Sequence, residues 1–176
     1  SCKSAPAPAV DPATLPPVLQ RGLADLPCPN RSFKQALTPK GLERWCEREG
    51  KMNGPYELLT PEGVKLTSGA YVDNQPDGGW VWYWGTGQRR AQVRFAAGKR
   101  QAMWSAWHEN GQQSEAGEYL DGRLAGGFTT WHPNGAKAQE GGYRNGQAVG
   151  DWRYWSAEGV ETQADGSPLV PEKGRR

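Results

Sequence analysis

The sequence contains no isoleucine, and leucine, valine and phenylalanine together supply only 24 of its 176 residues. That share lies below the roughly 20% at which disorder is usually suspected. Charge of one sign is also missing: 21 Lys and Arg against 19 Asp and Glu leave a formal net charge of +2. A balanced chain lacks the self-repulsion of a disordered polyelectrolyte, and it lacks the basic footprint of a nucleic-acid-binding domain. No apolar stretch approaches the ~18–20 residues of a spanning helix, and mean hydropathy is −0.82. Aromatic residues are plentiful instead, with nine Trp, six Tyr and three Phe. Each ring can bury about 150–250 Å², so the core must be built mainly from rings.

The rings recur at a fixed interval. Steps of 24 from Trp80 land on Tyr56, Trp104, Phe128 and Trp152, and from Tyr83 on Leu59, Trp107, Trp131 and Trp155. Gly87 leads to Gly63, Gly111, Gly135 and Gly159, and Phe95 to Tyr71, Tyr119 and Tyr143. Gly78 leads to Gly54, Ala102, Gly126 and Gly150, and Gly98 to Asn74, Gly122 and Gly146. A gapless period of this kind marks a repeat protein.

Each unit carries two turn signals half a period apart. One is Asn110-Gly111 and Asn134-Gly135; the other is Asp121-Gly122 and Asn145-Gly146. Asn-Gly is the strongest short hairpin signal, and twelve residues per turn suit one strand with its connection. The expected fold is all-β: a single elongated antiparallel sheet of stacked 24-residue β-hairpin repeats, because a lone hairpin cannot bury its own face. Trp80 and Tyr83, three apart, should point to opposite faces. Trp82 and Trp84 should share the Trp80 face. Gly69, Gly117 and Gly141 should leave room for rings on neighbouring strands.

Residues 1–27 read as a Pro/Ala-rich linker, with six prolines between Pro6 and Pro27. Residues 28–53 read as a cysteine-bracketed cap or degenerate first repeat, where "LTPKG" echoes "LTPEG" 22 residues later. The array proper is expected over 54–160 and a disordered tail over 161–176. Ser1-Cys2, a small residue before a cysteine at the head of a tether, looks like the end of a bacterial lipoprotein signal, which implies lipidation at Cys2. In an exported protein the remaining pair, Cys28 and Cys46, is read as a disulfide. The ligand spacing of a zinc site is absent.

The pattern G-x-[WYF]-x-x-W, a turn glycine, then G-x-Y-x-x-G resembles the MORN family. It is nearest its bacterial variant repeats, often labelled as antitoxins of toxin–antitoxin systems. "GQQSEAGEYLDGRLAGGF" and "GAKAQEGGYRNGQAVGDW" carry it best, and the resemblance covers roughly residues 50–160. The segment from Leu26 to Tyr56 also looks like the two-cysteine cap found ahead of such repeats in some envelope proteins. The resemblance implies an elongated scaffold that binds proteins, forms homodimers in some members and has been linked to phospholipid. Trp-x-x-Trp stands where the eukaryotic repeats begin Tyr-Glu-Gly.

These readings converge on a non-catalytic scaffold in the bacterial envelope, held to the membrane by a lipid on Cys2 and binding an unknown protein partner, with no cofactor and no metal. Its candidate recognition residues are the ring ladder: Tyr56, Trp80, Tyr83, Trp104, Trp107, Phe128, Trp131, Trp152 and Trp155. Arg89, Arg90, Arg94, Lys99 and Arg100, with no acid among them, form a weaker candidate for an anionic contact. His108 and His132 occupy one repeat position, two strands apart, about 9–10 Å and too far for a shared metal. Two other classes fit less well. A cytosolic antitoxin would use the same face but conflicts with lipidation and a disulfide. A wall-, choline- or lipid-binding module also uses paired aromatics, but wall-binding repeats run nearer 20 residues.

Overall fold

In the computed structural model of the chain, residues 26–28, 32–167 and 169 are described. Cys2, most of the Pro/Ala-rich stretch and the end of the expected tail lie outside them. The described chain is all-β, with no helix. Its strands are β1 (Ser32–Thr38), β2 (Gly41–Arg48), β3 (Lys51–Leu59), β4 (Lys65–Val72), β5 (Gln75–Tyr83), β6 (Arg89–Ala96), β7 (Lys99–Trp107), β8 (Gln113–Leu120), β9 (Arg123–Trp131), β10 (Lys137–Arg144), β11 (Gln147–Trp155) and β12 (Glu161–Thr162). Their order in the antiparallel sheet is their order in the sequence. The chain divides into two compact units, Ser1–Lys99 and Arg100–Arg176.

Two kinds of turn alternate. At one end of the hairpins, Glu49-Gly50, Asp73-Asn74, Ala97-Gly98, Asp121-Gly122 and Asn145-Gly146 all have both residues at positive φ. This is the two-residue geometry whose twist matches the flanking strands. At the other end the loop is longer. Gly111 N–H donates to the His108 carbonyl (2.9 Å) and His108 N–H to the Gln112 carbonyl (2.8 Å). Only Gly111 of the Asn110-Gly111 pair has a positive φ. The expected Asn-Gly hairpin is therefore a type I turn closed by a left-handed glycine, with Asn110 Oδ1 accepting from Gln112 N–H at 3.0 Å. The same loop recurs at Thr60, Trp84, His132 and Ser156.

Each copy also carries two irregularities in one place. Past the longer loop, Leu66, Arg90, Ser114 and Ala138 are each extra residues in the ladder. In mid-strand, Gly54, Gly78, Gly126 and Gly150 sit at φ between 69° and 114° where pairing to the preceding strand slips. Ala102 holds that position in the third copy, at φ 60°. Such bulges bend and twist a strand.

The first unit reaches back beyond the expected array. β2 stands 24 residues before β4, while Thr38 pairs with Gly41 across a two-residue turn. That turn is shorter than the loop at Thr60, which accounts for the 22-residue echo. Cys28 and Cys46 are disulfide-bonded, with Cα atoms 5.6 Å apart. The bond ties residues 26–28 to β2, where Leu42 and Cys46 are 0% exposed. At the far end, β12 pairs Glu161 with Trp155 and Thr162 with Tyr154. Ordered structure thus runs past Val160, where the tail was expected to begin.

Candidate functional site

Cross-strand pairing sorts the rings into two faces. In the first unit Tyr56 is opposite Gly69, and Trp80 is opposite Val93. Trp80 packs 5.5 Å from Tyr56, 5.0 Å from Tyr71, 6.1 Å from Trp82 and 6.0 Å from Phe95. Its contacts with Tyr71 and Phe95 are edge-on, an arrangement worth about 0.5–1.5 kcal/mol per pair beyond burial. In the second unit Phe128 takes the centre, 6.5 Å from Trp104, 5.4 Å from Tyr143 and 5.9 Å from Trp152. Trp80 and Phe128 are 5% and 8% exposed. Their neighbours are half-buried.

Glycines make this packing possible. A Cβ on Gly69 would overlap the Trp80 indole, and one on Gly141 the Trp152 indole. A Cβ on Gly117 would come within 2.8 Å of Trp104 Nε1 and 3.1 Å of Phe128 Cδ2. Trp80 Nε1 donates to the Ala70 carbonyl at 3.1 Å. Trp104 and Trp152 bury the same atom with no acceptor among the described residues.

Tyr83 points the other way, as its spacing implied. Its hydroxyl lies 3.4 Å from Ser68 Oγ, and Ser68 pairs with Val81. Trp84 departs from expectation: it opens the loop after β5, with the Arg90 guanidinium 5.6 Å from its ring centre. The face of Tyr83 also carries charge. Arg44, 3% exposed, pairs with Glu57 at 3.3 Å, and Lys65 also reaches Glu57. In the second unit Lys137 and Arg153 sit 5.2 Å and 5.0 Å from the Trp155 ring centre. Lys137 also pairs with Glu140 at 3.0 Å, and Arg153 with Glu161 at 2.8 Å. Trp155, Trp107 and Trp131 are half-buried.

The histidines serve the repeat. His108 Nε2 donates to the Trp131 carbonyl and His132 Nε2 to the Trp155 carbonyl, both at 2.8 Å. Carbonyls only accept, so Nε2 carries the proton in each. Asn110 and Asn134 tie the same loops together through the Pro133 and Ala157 carbonyls at 2.6 and 2.7 Å. These loop-to-loop bonds sit at one repeat spacing, and their signal in the sequence is the recurring His-x-Asn-Gly.

Arg89 and Arg94 lie on the Tyr83 face, exposed, and Arg90 covers Trp84. Arg100, in the second unit, donates to the Tyr119 hydroxyl at 2.9 Å and stacks 5.2 Å over its ring. Among the described residues no group of three His, Cys, Asp or Glu side chains is placed to hold a metal. A surface hollow of about 360 Å³ is lined by Val72, Asp73, Gln75, Asp77 and Ala97. Its carboxylates are already engaged, Asp77 by Ala97 N–H at 3.3 Å and Asp73 by Asn53 Nδ2 at 3.2 Å.

Two phenols are perturbed. Burial, and then the Glu43 carboxylate, raise Tyr56 well above the ordinary tyrosine value and raise Tyr71 as well. Both effects disfavour the phenolate.

No protein-family model matches the chain, and no curated protein matches it. Among solved structures it is similar to the crystal structure of TarM, at 12% identity and a TM-score of 0.37. That match covers 63% of this chain and 21% of TarM, so the chain spans about a fifth of that protein's length. A likeness at that TM-score carries no argument about function.

Proposed function

We propose that this chain is a non-catalytic MORN-like repeat scaffold that binds a protein partner in the bacterial cell envelope, tethered to the membrane through a lipid on Cys2. The observation that carries the reading is the partly exposed row of rings left on each unit by a sheet only one layer thick. Trp80 and Phe128 are consumed by packing, whereas Tyr56, Tyr71, Trp82 and Phe95 in one unit keep part of each ring in water. Trp104, Tyr119, Tyr143 and Trp152 do the same in the other. Exposed apolar patches mark interaction sites, and aromatic residues are enriched at interface cores. The Cys28–Cys46 bond suits an oxidising compartment. His108 and His132, the residues best suited to proton transfer, are spent on loop carbonyls.

The test combines mass and crosslinking in the native host. Intact mass should show an acylated Cys2 and a bonded Cys28–Cys46 pair. A photo-crosslinking benzoylphenylalanine at Thr130, the repeat position that holds Trp82 and Tyr154, should capture an envelope protein, and one at Met103 on the opposite face should not. An unacylated cytosolic chain with free thiols would overturn the reading in favour of an antitoxin-like protein. Equal capture from both faces would remove the ring face as the binding surface.

A further inference from the structure

Among the described residues, the outer edge of β11 is left without a strand where β12 stops after two residues. In the earlier copies the strand after the long loop runs eight residues along its predecessor, as β4, β6, β8 and β10 do. In the last copy β12 is only two residues long. The chain then reverses through a loop in which Gln163 N–H donates to the Ser167 carbonyl (2.8 Å) and Gly166 N–H to the Gln163 carbonyl (3.0 Å). Residues 147–153 therefore have β10 on one side and, among the described residues, no strand on the other. All of them except Trp152 are exposed.

The molecule itself shows what seats against such an edge. Trp152 leans inward over Gly141 as Trp80 leans over Gly69. On the outer side of β5, β6 places Val93 opposite Trp80, Arg94 opposite Gly79 and Phe95 opposite Gly78. Val93 is 7% exposed there, and Phe95 packs on Trp80 at 6.0 Å. β11 repeats the acceptor side of that pairing, with Gly150 at φ 69° where β5 has Gly78 at φ 72°. It differs at one place. Where β5 has Gly79, β11 has the exposed carboxylate of Asp151.

We propose that the outer edge of β11 takes up an extended segment of a partner protein as an added antiparallel strand, reading a β-branched, basic, aromatic triplet. The β-branched residue sits opposite Trp152, the cation opposite Asp151 and the ring opposite Gly150. Main-chain hydrogen bonds supply the affinity of such strand addition, and the alternating side chains supply its specificity. A one-residue slip would turn the ring away from Trp152. The occupant is a different protein rather than a second copy. Two β11 strands paired antiparallel in the register that sets Trp152 of one opposite Gly150 of the other would bring Asp151 against its own counterpart, and like charges directly opposite destabilise a sheet. The proposal uses the sheet edge, not the ring face, and stands independently of the scaffold reading.

The probe is the acetylated, amidated hexapeptide VRFAAG, the sequence of residues 93–98, titrated into the full 15N-labelled chain. In this register it spans residues 147–152 and stops short of Tyr154, where Thr162 pairs. Amide shifts should concentrate on residues 147–153. Asp151→Lys, at an exposed site, should weaken binding about threefold to fivefold. The peptide VEFAAG should bind that variant better than it binds the native chain. Absent shifts, shifts elsewhere or an equal response to a scrambled hexapeptide would overturn the proposal. Binding that emerges only after removal of residues 168–176 would overturn it in favour of the chain's own tail. A free-chain dimer with β11 at its interface would overturn it in favour of a second copy.

Discussion

Ala102 holds a left-handed backbone, φ 60°, at the bulge where the other copies have glycine at φ 114°, 72°, 70° and 69°. A residue with a Cβ gives up roughly 1–2 kcal/mol in that conformation. Glycine in its place would return about 0.4–1 kcal/mol through the greater freedom of the unfolded chain. Ala102 is exposed, so its methyl contributes little packing. The difference leaves Ala102→Gly more stable by about 0.5–1 kcal/mol, a rise in Tm of about 1–4 °C for a chain of this size. Gly150→Ala is the mirror experiment, because a Cβ there meets nothing within 4 Å. It should cost about the same amount through the backbone alone. Urea and thermal unfolding followed by tryptophan fluorescence would measure both. If Ala102→Gly leaves stability unchanged or lowers it, and Gly150→Ala is neutral, the bulge does not constrain φ and the reasoning fails.

Gly141→Ala should lose about 1–3 kcal/mol by driving a methyl into the Trp152 indole, whereas Gly127→Ala, with open space around it, should stay within about 0.5 kcal/mol in the same assay. Reduction of Cys28–Cys46 closes no 18-residue loop in the unfolded chain and should cost about 3 kcal/mol, read as a shift in the urea midpoint with and without reductant. Tyr56 and Tyr71 hold their protons more tightly folded than unfolded, so their contribution is full below the ordinary value of 10.0 and is lost as pH rises past it. Unfolding between pH 9 and 11 should show stability falling with pH, and Tyr56→Phe should flatten the fall.

Most of the architecture was legible because one constraint acts on every copy. A 24-residue period with glycines at fixed offsets specifies strand, turn and strand before any partner strand is known. The opposed faces of Trp80 and Tyr83 followed from alternation alone. Turn type was harder to read. Asn-Gly occurs at both ends of the hairpins, and at Asn110-Gly111 the loop is set by the His108 carbonyl closing on Gly111, a bond that residue preference does not reveal. Trp84 lies one residue past the end of β5, where alternation no longer assigns a face. The room each indole needs was legible too, because Gly69, Gly117 and Gly141 were expected to leave space for rings on neighbouring strands. Gly69 and Gly141 do so for Trp80 and Trp152.

The division of labour between the rings limits where recognition can reside. A sheet with a second layer would bury its inner rings against that layer, but here each ring is covered only by neighbours on its own face. The central ring of a cluster is then sealed, as Trp80 and Phe128 are, and substituting it removes stability before it removes binding. Outlying rings share fewer contacts and keep part of their surface in water. Trp104 and Trp152 also bury an indole N–H without an acceptor, at a cost of about 1–3 kcal/mol for each buried donor left unmet. Trp155 lies between Lys137 and Arg153, so its surface is presented with two cations beside it. On the proposed reading, recognition on the ring face would fall to Tyr56, Trp104 and Trp152, while the opposite face presents a mixed cationic and aromatic surface around Trp155. Conservative exchanges to phenylalanine at these positions would separate binding from folding more cleanly than any change at Trp80 or Phe128.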